Sequence, residues 1–307
     1  MAAIVLNFQT PDDTLLAVKA LLASDRPIDH VIVVNNAPSE TPGALHRALA
    51  TLSPTVTVLH MGANLGFSGG MNAGIRVAIG RGADRILLVN SDVIVPPDCV
   101  ERLEAALDGA ARAGITGPTM LARTDPGRIV SSGIGYSSTI GRMRHHGFGA
   151  LLAETTLPPS STVDAVSGCV MLVAREVFEA IGPLDDDYFF SFEDVDFCLR
   201  AKQAGFASVV AGDAFVYHEG NRSIGHDAPG RLYFAARNHL LLARRAGNGS
   251  VFVFGVRAMP IVAFNVAHAL RAEGGSLPAR LKAVALGVRD YALGRFGAGA
   301  EARRLTP

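Results

Sequence analysis

Asn90-Ser91-Asp92 sets an amide, a hydroxyl and a carboxylate directly after Ile86-Leu87-Leu88-Val89, a short apolar run of the kind that fills a strand covered on both faces. Open α/β sheets bind ligands in the crevice outside their strand C-termini, so polar groups at that point are placed to hold a divalent metal or a phosphorylated ligand. The same residues also make an ordinary turn in which Asp92 caps the next segment. A second acidic centre is Glu193-Asp194, with Asp196 two residues on and the aromatics Tyr188, Phe189, Phe190 and Phe192 before it. Val195, Cys198 and Leu199 fit one helical face and Gly205 is a natural stop, which puts these acids in the first turn of a helix. The helix dipole by itself accounts for carboxylates there. The aromatic approach adds an apolar pocket with the acids at its floor, a setting for a general base. His218 ends the last apolar strand pattern, before Glu219-Gly220-Asn221-Arg222, and taken alone reads more often as a packed core histidine than as a ligand.

The elements that must position these groups alternate. Strands are expected at 2–6, 30–34 and 55–61, the first two ending in the polar clusters Asn7-Phe8-Gln9 and Asn35-Asn36-Ala37-Pro38-Ser39. Thr10-Pro11-Asp12-Asp13 starts a helix. Residues 62–72, with Asn64, Gly66, Gly69 and Asn72, read as a glycine-rich loop opening a further helix; it is neither GxGxxG nor a Walker loop, and serves either a phosphate or a tight helix-to-sheet turn. Beyond Pro96-Pro97 come a helix over 98–113, short strands over 114–135, a long loop over 136–161 holding His145 and His146, a strand over 162–173 with a bulge or close ligand approach at Ser167-Gly168, and a last strand over 208–217. With polar strand ends on one side, the pattern is a doubly wound, mostly parallel α/β sheet.

A chain of 307 residues with 49% hydrophobic content suits one large α/β domain plus an appendage. Twenty-eight basic and 28 acidic residues cancel, which removes any overall field favouring nucleic acid. Cys99, Cys169 and Cys198 lack CxxC spacing and are expected as reduced core thiols, and the N-terminus has no export signal, together indicating a cytoplasmic protein. Residues 251–270 are apolar but interrupted by Arg257, Pro260, Asn265 and His268, too broken for a span of about 20 residues. From Arg271 onward basic residues outnumber Glu273, Asp290 and Glu301 by four, Arg303 and Arg304 included. Apolar helices with such a complement suit a membrane surface, and equally a dimer interface or packing on the main domain.

Val5-Leu6-Asn7-Phe8, Val33-Val34-Asn35-Asn36, the run from Asn64 to Gly74, Leu88-Val89-Asn90-Ser91-Asp92, Ser167-Gly168-Cys169, Phe192-Glu193-Asp194-Val195-Asp196 and Val216-Tyr217-His218 occur in the order and spacing of the family 2 glycosyltransferases. Over residues 2–245 the chain resembles the rhamnosyltransferase-like branch of that family. The resemblance implies a GT-A fold for 1–245, with 246–307 as a C-terminal helical segment. It also implies inverting transfer of a sugar from a nucleoside diphosphate donor, dTDP- or UDP-linked, to the hydroxyl of a glycan, lipid-linked or small-molecule acceptor. Asn90-Ser91-Asp92 stands where the family has its DXD motif, so Asp92, with His218, would bind Mg2+ or Mn2+. Asp194 matches the catalytic base, with Glu193 beside it. The nucleotide-sugar site would involve Asn7, Phe8, Gln9, Asn35, Asn64, Gly66, Gly69, Asn72, Asn90, Ser91 and Gly168. Asn35 departs from the family's usual aspartate: its carbonyl can accept from a pyrimidine N3–H, but its NH2 adds a donor and changes what the position selects. Two other classes share parts of the pattern. A nucleotidyltransferase should carry a basic phosphate-activating loop near the N-terminus, which is absent, and a non-catalytic binding module could dispense with the acidic pair.

Overall fold

The computed structural model describes residues 1–37, 43–218, 229–247, 251–272 and 274–299; expectations on Pro38, Ser39, Glu219 to Arg222, Glu273, Glu301, Arg303 and Arg304 lie outside the described residues. In chain order the elements are β1 (Ala2–Asn7), α1 (Pro11–Leu22), β2 (His30–Asn35), α2 (Ala44–Ala50), β3 (Val56–His60), α3 (Gly66–Gly80), β4 (Arg85–Asn90), β5 (Val93–Ile94), α4 (Cys99–Gly109) and β6 (Ala113–Ala122). Next come β7 (Ile129–Ser131), β8 (Ile134–Ser137), β9 (Arg142–His145), β10 (Ser160–Val163), β11 (Val170–Ala174), α5 (Arg175–Ile181), α6 (Glu193–Gln203), β12 (Ala207–His218), α7 (Pro229–Arg245), α8 (Val251–Arg271) and α9 (Leu277–Ala292).

Three hexapeptides, AAIVLN, HVIVVN and RILLVN, make β1, β2 and β4. Each is apolar without alternation, so each needs cover on both faces, and each ends in asparagine where cover ends. Parallel pairing sets Asn7 opposite Asn35 and Leu6 opposite Asn90, so the three amides line one edge of the sheet. The sheet runs β10-β12-β6-β11-β4-β1-β2-β3, with β5 added to β12 and β7 to β6. Strands β4, β1, β2 and β3 are parallel; β11 is antiparallel to both β4 and β6, and β12 is parallel to β6.

Several expected boundaries differ. The glycine-rich stretch is loop only to Leu65; from Gly66 it is the start of α3. A Cβ on Gly70 would sit 2.5 Å from Leu6 Cδ1 and one on Gly74 2.5 Å from Ile4 Cγ2, so these glycines let the helix lie close on the sheet. The expected short strands over 114–135 are mainly one ten-residue strand, β6. The expected loop over 136–161 contains most of the β8-β9 hairpin and the start of β10. Strands β9 and β10 expose every second residue, and Gly147 and Gly149 follow β9 at positive φ, which conceals them in a Gly- and Arg-rich composition. The single strand over 162–173 is two, β10 and β11, and Ser167-Gly168 lies in the segment between them and not in a bulge. Helix α4 stops at Gly109.

The C-terminal helices are built onto the α/β half. Ala283 and Val284 of α9 pack with Tyr233, Phe234 and Ala236 of α7, and Phe189 joins the same apolar cluster. Gly287 lies against the α7 backbone at Tyr233, where any side chain would collide. The apolar stretch from Val251 is one continuous helix that includes Pro260. No helix among the described residues is long and apolar enough to cross a membrane.

Candidate active site

The first acidic centre is closed by β-pairing. Strand β12 pairs antiparallel with β5, His218 opposite Val93, and this brings His218 Nε2 to 3.3 Å from Asp92 Oδ1. Asp92 is 7% exposed. Burial works against a charge on His218, but the Cys169 sulfur and the Asp92 carboxylate hold its proton up to about 11. Asn90 Oδ1 is buried without a hydrogen-bond partner, an arrangement that ordinarily costs about 1–3 kcal/mol and marks a place where a ligand can bind. Ser91 Oγ meets Thr10 Oγ1 at 2.8 Å. No group of three or more His, Cys, Asp or Glu side chains that could hold a metal occurs among the described residues. Asp92 and the Asn90 oxygen, joined by His218 when an ion displaces its proton, are therefore a partial donor set, compatible with an ion that takes its remaining ligands from water and a diphosphate.

The second centre heads α6, as expected. Gly168 N–H donates to Asp194 Oδ2 at 2.8 Å, and Val195 N–H to Oδ1 at 2.8 Å. Burial raises the Asp194 pKa above its ordinary value, with those two amides opposing the rise. Glu193 is pushed up further, by burial and then by the Asp194 charge; its Oε2 has no partner. Asp196 is structural: it accepts from Tyr188 Oη at 3.0 Å and from Arg200 Nε at 2.7 Å. The segment carrying Gly168 joins the two centres, because Cys169 C=O accepts from Asn90 N–H at 2.9 Å.

The other expected residues divide between the sheet edge and its supports. Asn7 Nδ2 donates to Asn35 Oδ1 at 3.1 Å, and Ala37 N–H donates to the same oxygen at 3.2 Å, so both acceptor directions of Asn35 are occupied within the protein. Phe8, half-buried, and Gln9, exposed at φ 58, form the rim after β1. Asn64 Oδ1 accepts from Gly66 N–H at 2.9 Å and from Asn36 Nδ2 at 3.2 Å. Gly66, at φ +74, lies against Phe189, and Phe67 N–H donates to Phe189 C=O at 2.6 Å. Gly69 is half-buried near Leu65. Asn72 is turned away from the edge: it bonds both ways with the Leu184 backbone and donates to Asp186 Oδ1 at 2.7 Å.

Sequence reading placed His145 on a long exposed loop where it could touch an acceptor, and missed the roles of two further groups. His145 on β9 lies close enough to Asp194 for their charges to interact; burial lowers its pKa and the Asp194 charge opposes that. Its Nδ1 is 3.0 Å from Ser131 Oγ. Arg237 and Asn238 of α7 are fully buried and bond to the backbone leading into α6. The polar triplet Arg237-Asn238-His239 between the apolar stretches 232–236 and 240–243 was the available signal. Phe189, Ser191 and Phe192 all have positive φ, a cost on the order of 1–3 kcal/mol each that persists only where surroundings enforce it.

The family described as "Glycosyltransferase like family 2" matches residues 1–240. The chain belongs to that family. This glycosyltransferase is 30% identical over 230 residues to the N-acetylglucosaminyl-diphospho-decaprenol L-rhamnosyltransferase of Mycobacterium tuberculosis, covering 69% of this chain and 73% of the relative. It is 28% identical over 224 residues to the dTDP-rhamnosyl transferase RfbF of Shigella flexneri, covering 70% and 71%. Among solved structures it resembles the mannosyltransferase PcManGT from Pyrobaculum calidifontis in complex with GDP-Man and Mn2+, with a TM-score of 0.59 at 15% identity over 96% of this chain and 87% of that one. S. aureus TarS 1-349 in complex with UDP-GlcNAc gives 0.57 at 16% identity over 92% and 78%. The expected rhamnosyltransferase-like membership and GT-A fold with C-terminal helices hold.

Proposed function

We propose that this glycosyltransferase moves rhamnose or a related hexose from a dTDP- or UDP-linked donor onto a hydroxyl of a lipid-linked glycan, with inversion at the anomeric carbon. The observation that carries this reading is the Gly168-Cys169 segment, whose amide holds Asp194 and whose next carbonyl holds Asn90, so base and donor groups share one short stretch of backbone. Asp194 takes the proton of the acceptor hydroxyl, whose oxygen attacks the anomeric carbon as the diphosphate departs from the opposite face. Its raised pKa strengthens it as a base once ionised. Glu193, deeper and more readily protonated, shapes the pocket floor without removing the proton. Asp92 and Asn90 Oδ1, with His218 once it has given up its proton, would hold Mg2+ or Mn2+, which when bound would stabilise charge on the leaving diphosphate. Ser91 and the Phe8-Gln9 rim line the nucleotide side with the buried Asn7 and Asn35 behind them, while Asn64, Gly66, Gly69 and Asn72 fix the loop and helix beside it. Incubation with dTDP-rhamnose and a lipid-linked N-acetylglucosamine diphosphate tests the reading. Release of dTDP with a glycosylated lipid supports it, whereas formation of dTTP and rhamnose 1-phosphate when pyrophosphate is added indicates nucleotidyl transfer and binding without turnover a non-catalytic module.

The lipid side of the proposal rests on α8, which buries Ile261 and Ala269 but also two polar side chains, and leaves several large apolar ones outside. Arg257 and Asn265 face inward, Arg257 toward Ala243 C=O at 3.5 Å and Asn265 bonded to Ile261 C=O at 2.8 Å, while Val256, Met259, Phe264 and Leu270 are exposed. Arg142 of the β8-β9 hairpin lies over the Phe264 ring at 5.3 Å, and His145 of the same hairpin lies near Asp194. An apolar face edged by arginine suits an anionic bilayer surface, and the hairpin spans from it to the base. On this reading the enzyme works at the inner face of the cell membrane.

A further inference from the structure

We propose that Arg237 and Asn238 are positioning residues for the catalytic base, a clamp that holds the backbone of 187–192 in the left-handed path delivering Asp194 to the head of α6. Phe192, which precedes the helix, has φ 76, and Phe189 and Ser191 have φ 61 and 72. Side chains oppose that conformation at all three, so an external constraint must impose it. The constraint is a nearly complete occupation of the loop's carbonyls. Arg237 Nη2 donates to Tyr188 C=O at 2.9 Å and Asp187 C=O at 3.2 Å. Asn238 Nδ2 reaches the carbonyls of Tyr188, Phe190 and Ser191 at 2.8, 2.7 and 3.0 Å. Phe189 C=O, which faces away, takes the amide of Phe67.

The two clamp residues are themselves fixed. Arg237 Nε donates to Asn238 Oδ1 at 2.9 Å, and Nη1 to Gly297 C=O at 2.7 Å beyond α9. The guanidinium also lies 5.0 Å from the Phe234 ring centroid. The bonds of both side chains run to the loop and not to Asp194 or the Asp92 centre, so both act through the loop. The C-terminal helices thereby acquire a role in the chemical step, since α9 and its following turn brace the arginine that braces the base.

This inference rests on Asp194 as base, and its test keeps the two apart. Asn238→Asp keeps the shape but replaces the donor with an acceptor facing three carbonyls. The expected result is a kcat lower by about 100-fold, the scale of a base displaced by about 1 Å, with dTDP and UDP affinity within about threefold of wild type. Adding Ser191→Gly, which removes the side-chain penalty at one left-handed position, recovers at least about fivefold of that kcat. Leu107→Ala, which thins the buried face of α4 in the α/β half, lowers the melting midpoint yet keeps kcat within about twofold. Arg237→Lys carries the same test should Asn238→Asp not fold, with an expected loss of about tenfold in kcat alone. A folded Asn238→Asp with kcat within twofold of wild type overturns the clamp, as does a parallel loss of nucleotide affinity, absence of rescue by Ser191→Gly, or an equal kcat loss in Leu107→Ala. Asp194→Asn is measured alongside: its inactivity with a normal Asn238→Asp refutes the clamp only, whereas an active Asp194→Asn refutes the base.

Discussion

The Gly168 amide and the Asp194 carboxylate are joined by a 2.8 Å hydrogen bond across 26 residues of chain, which fixes one carboxylate oxygen while burial raises the group's pKa. A base oriented in this way acts in the chemical step and not in holding the donor. Asp194→Asn is expected to lower kcat by at least about 10²–10⁴-fold while dTDP or UDP affinity stays within a few-fold. Calorimetric titration beside single-turnover kinetics checks it. Turnover near wild type in this variant, with Glu193→Gln inactive, moves the base one residue back.

The sign of the pH dependence is set by the same group. Asp194 must be ionised to accept a proton, and its pKa is raised, so kcat/KM falls as pH drops through a midpoint above the ordinary aspartate value of about 3.9. A rate profile that stays flat down to the ordinary value contradicts the burial argument.

Glu193 makes a separate prediction for stability. Its pKa is raised in the folded chain, so the folded state binds its proton more tightly than the unfolded state, and the penalty grows as pH rises from the unfolded value toward the folded one. Glu193→Gln should therefore raise the melting midpoint at neutral pH, with the gain shrinking to nothing below about pH 4. A gain independent of pH would point to packing instead of charge.

Asp92→Ala is expected to weaken dTDP or UDP binding in Mn2+ by at least about tenfold and to leave the metal-free affinity nearly unchanged, since a metal's contribution to charge stabilisation is several kcal/mol. Thermal-shift titrations with and without EDTA read both. Full transferase activity in excess EDTA removes the metal role and, with it, His218 as a ligand.

Met259→Glu with Leu270→Glu should abolish salt-sensitive pelleting with phosphatidylglycerol vesicles and leave donor hydrolysis intact, because both side chains are exposed on α8 and remote from the carbonyl contacts of α7. Removal of the helices would not separate the two functions, since Gly287 of α9 lies against the α7 backbone. A soluble dimer that ignores vesicles and dissociates on the same substitutions would assign the face to a second copy of the chain.

The hexapeptides ending in Asn7, Asn35 and Asn90 were legible as buried strands because continuous apolarity bounded by polar residues is a local property, and so was the helix under Glu193 and Asp194. Motif order then carried the family, since each motif is a short contiguous string. Tertiary structure decided what depends on contact between distant segments. It paired His218 with Asp92 through β5 and β12, turned Asn72 from a ligand-facing amide into a brace for Leu184 and Asp186, and occupied the Asn35 oxygen from inside the protein. It also drew Arg237 and Asn238, far downstream of the acidic pair, onto the loop before α6. Nothing in local periodicity encodes such partners: a strand's burial is written in its own side chains, whereas a carbonyl's donor is chosen by packing.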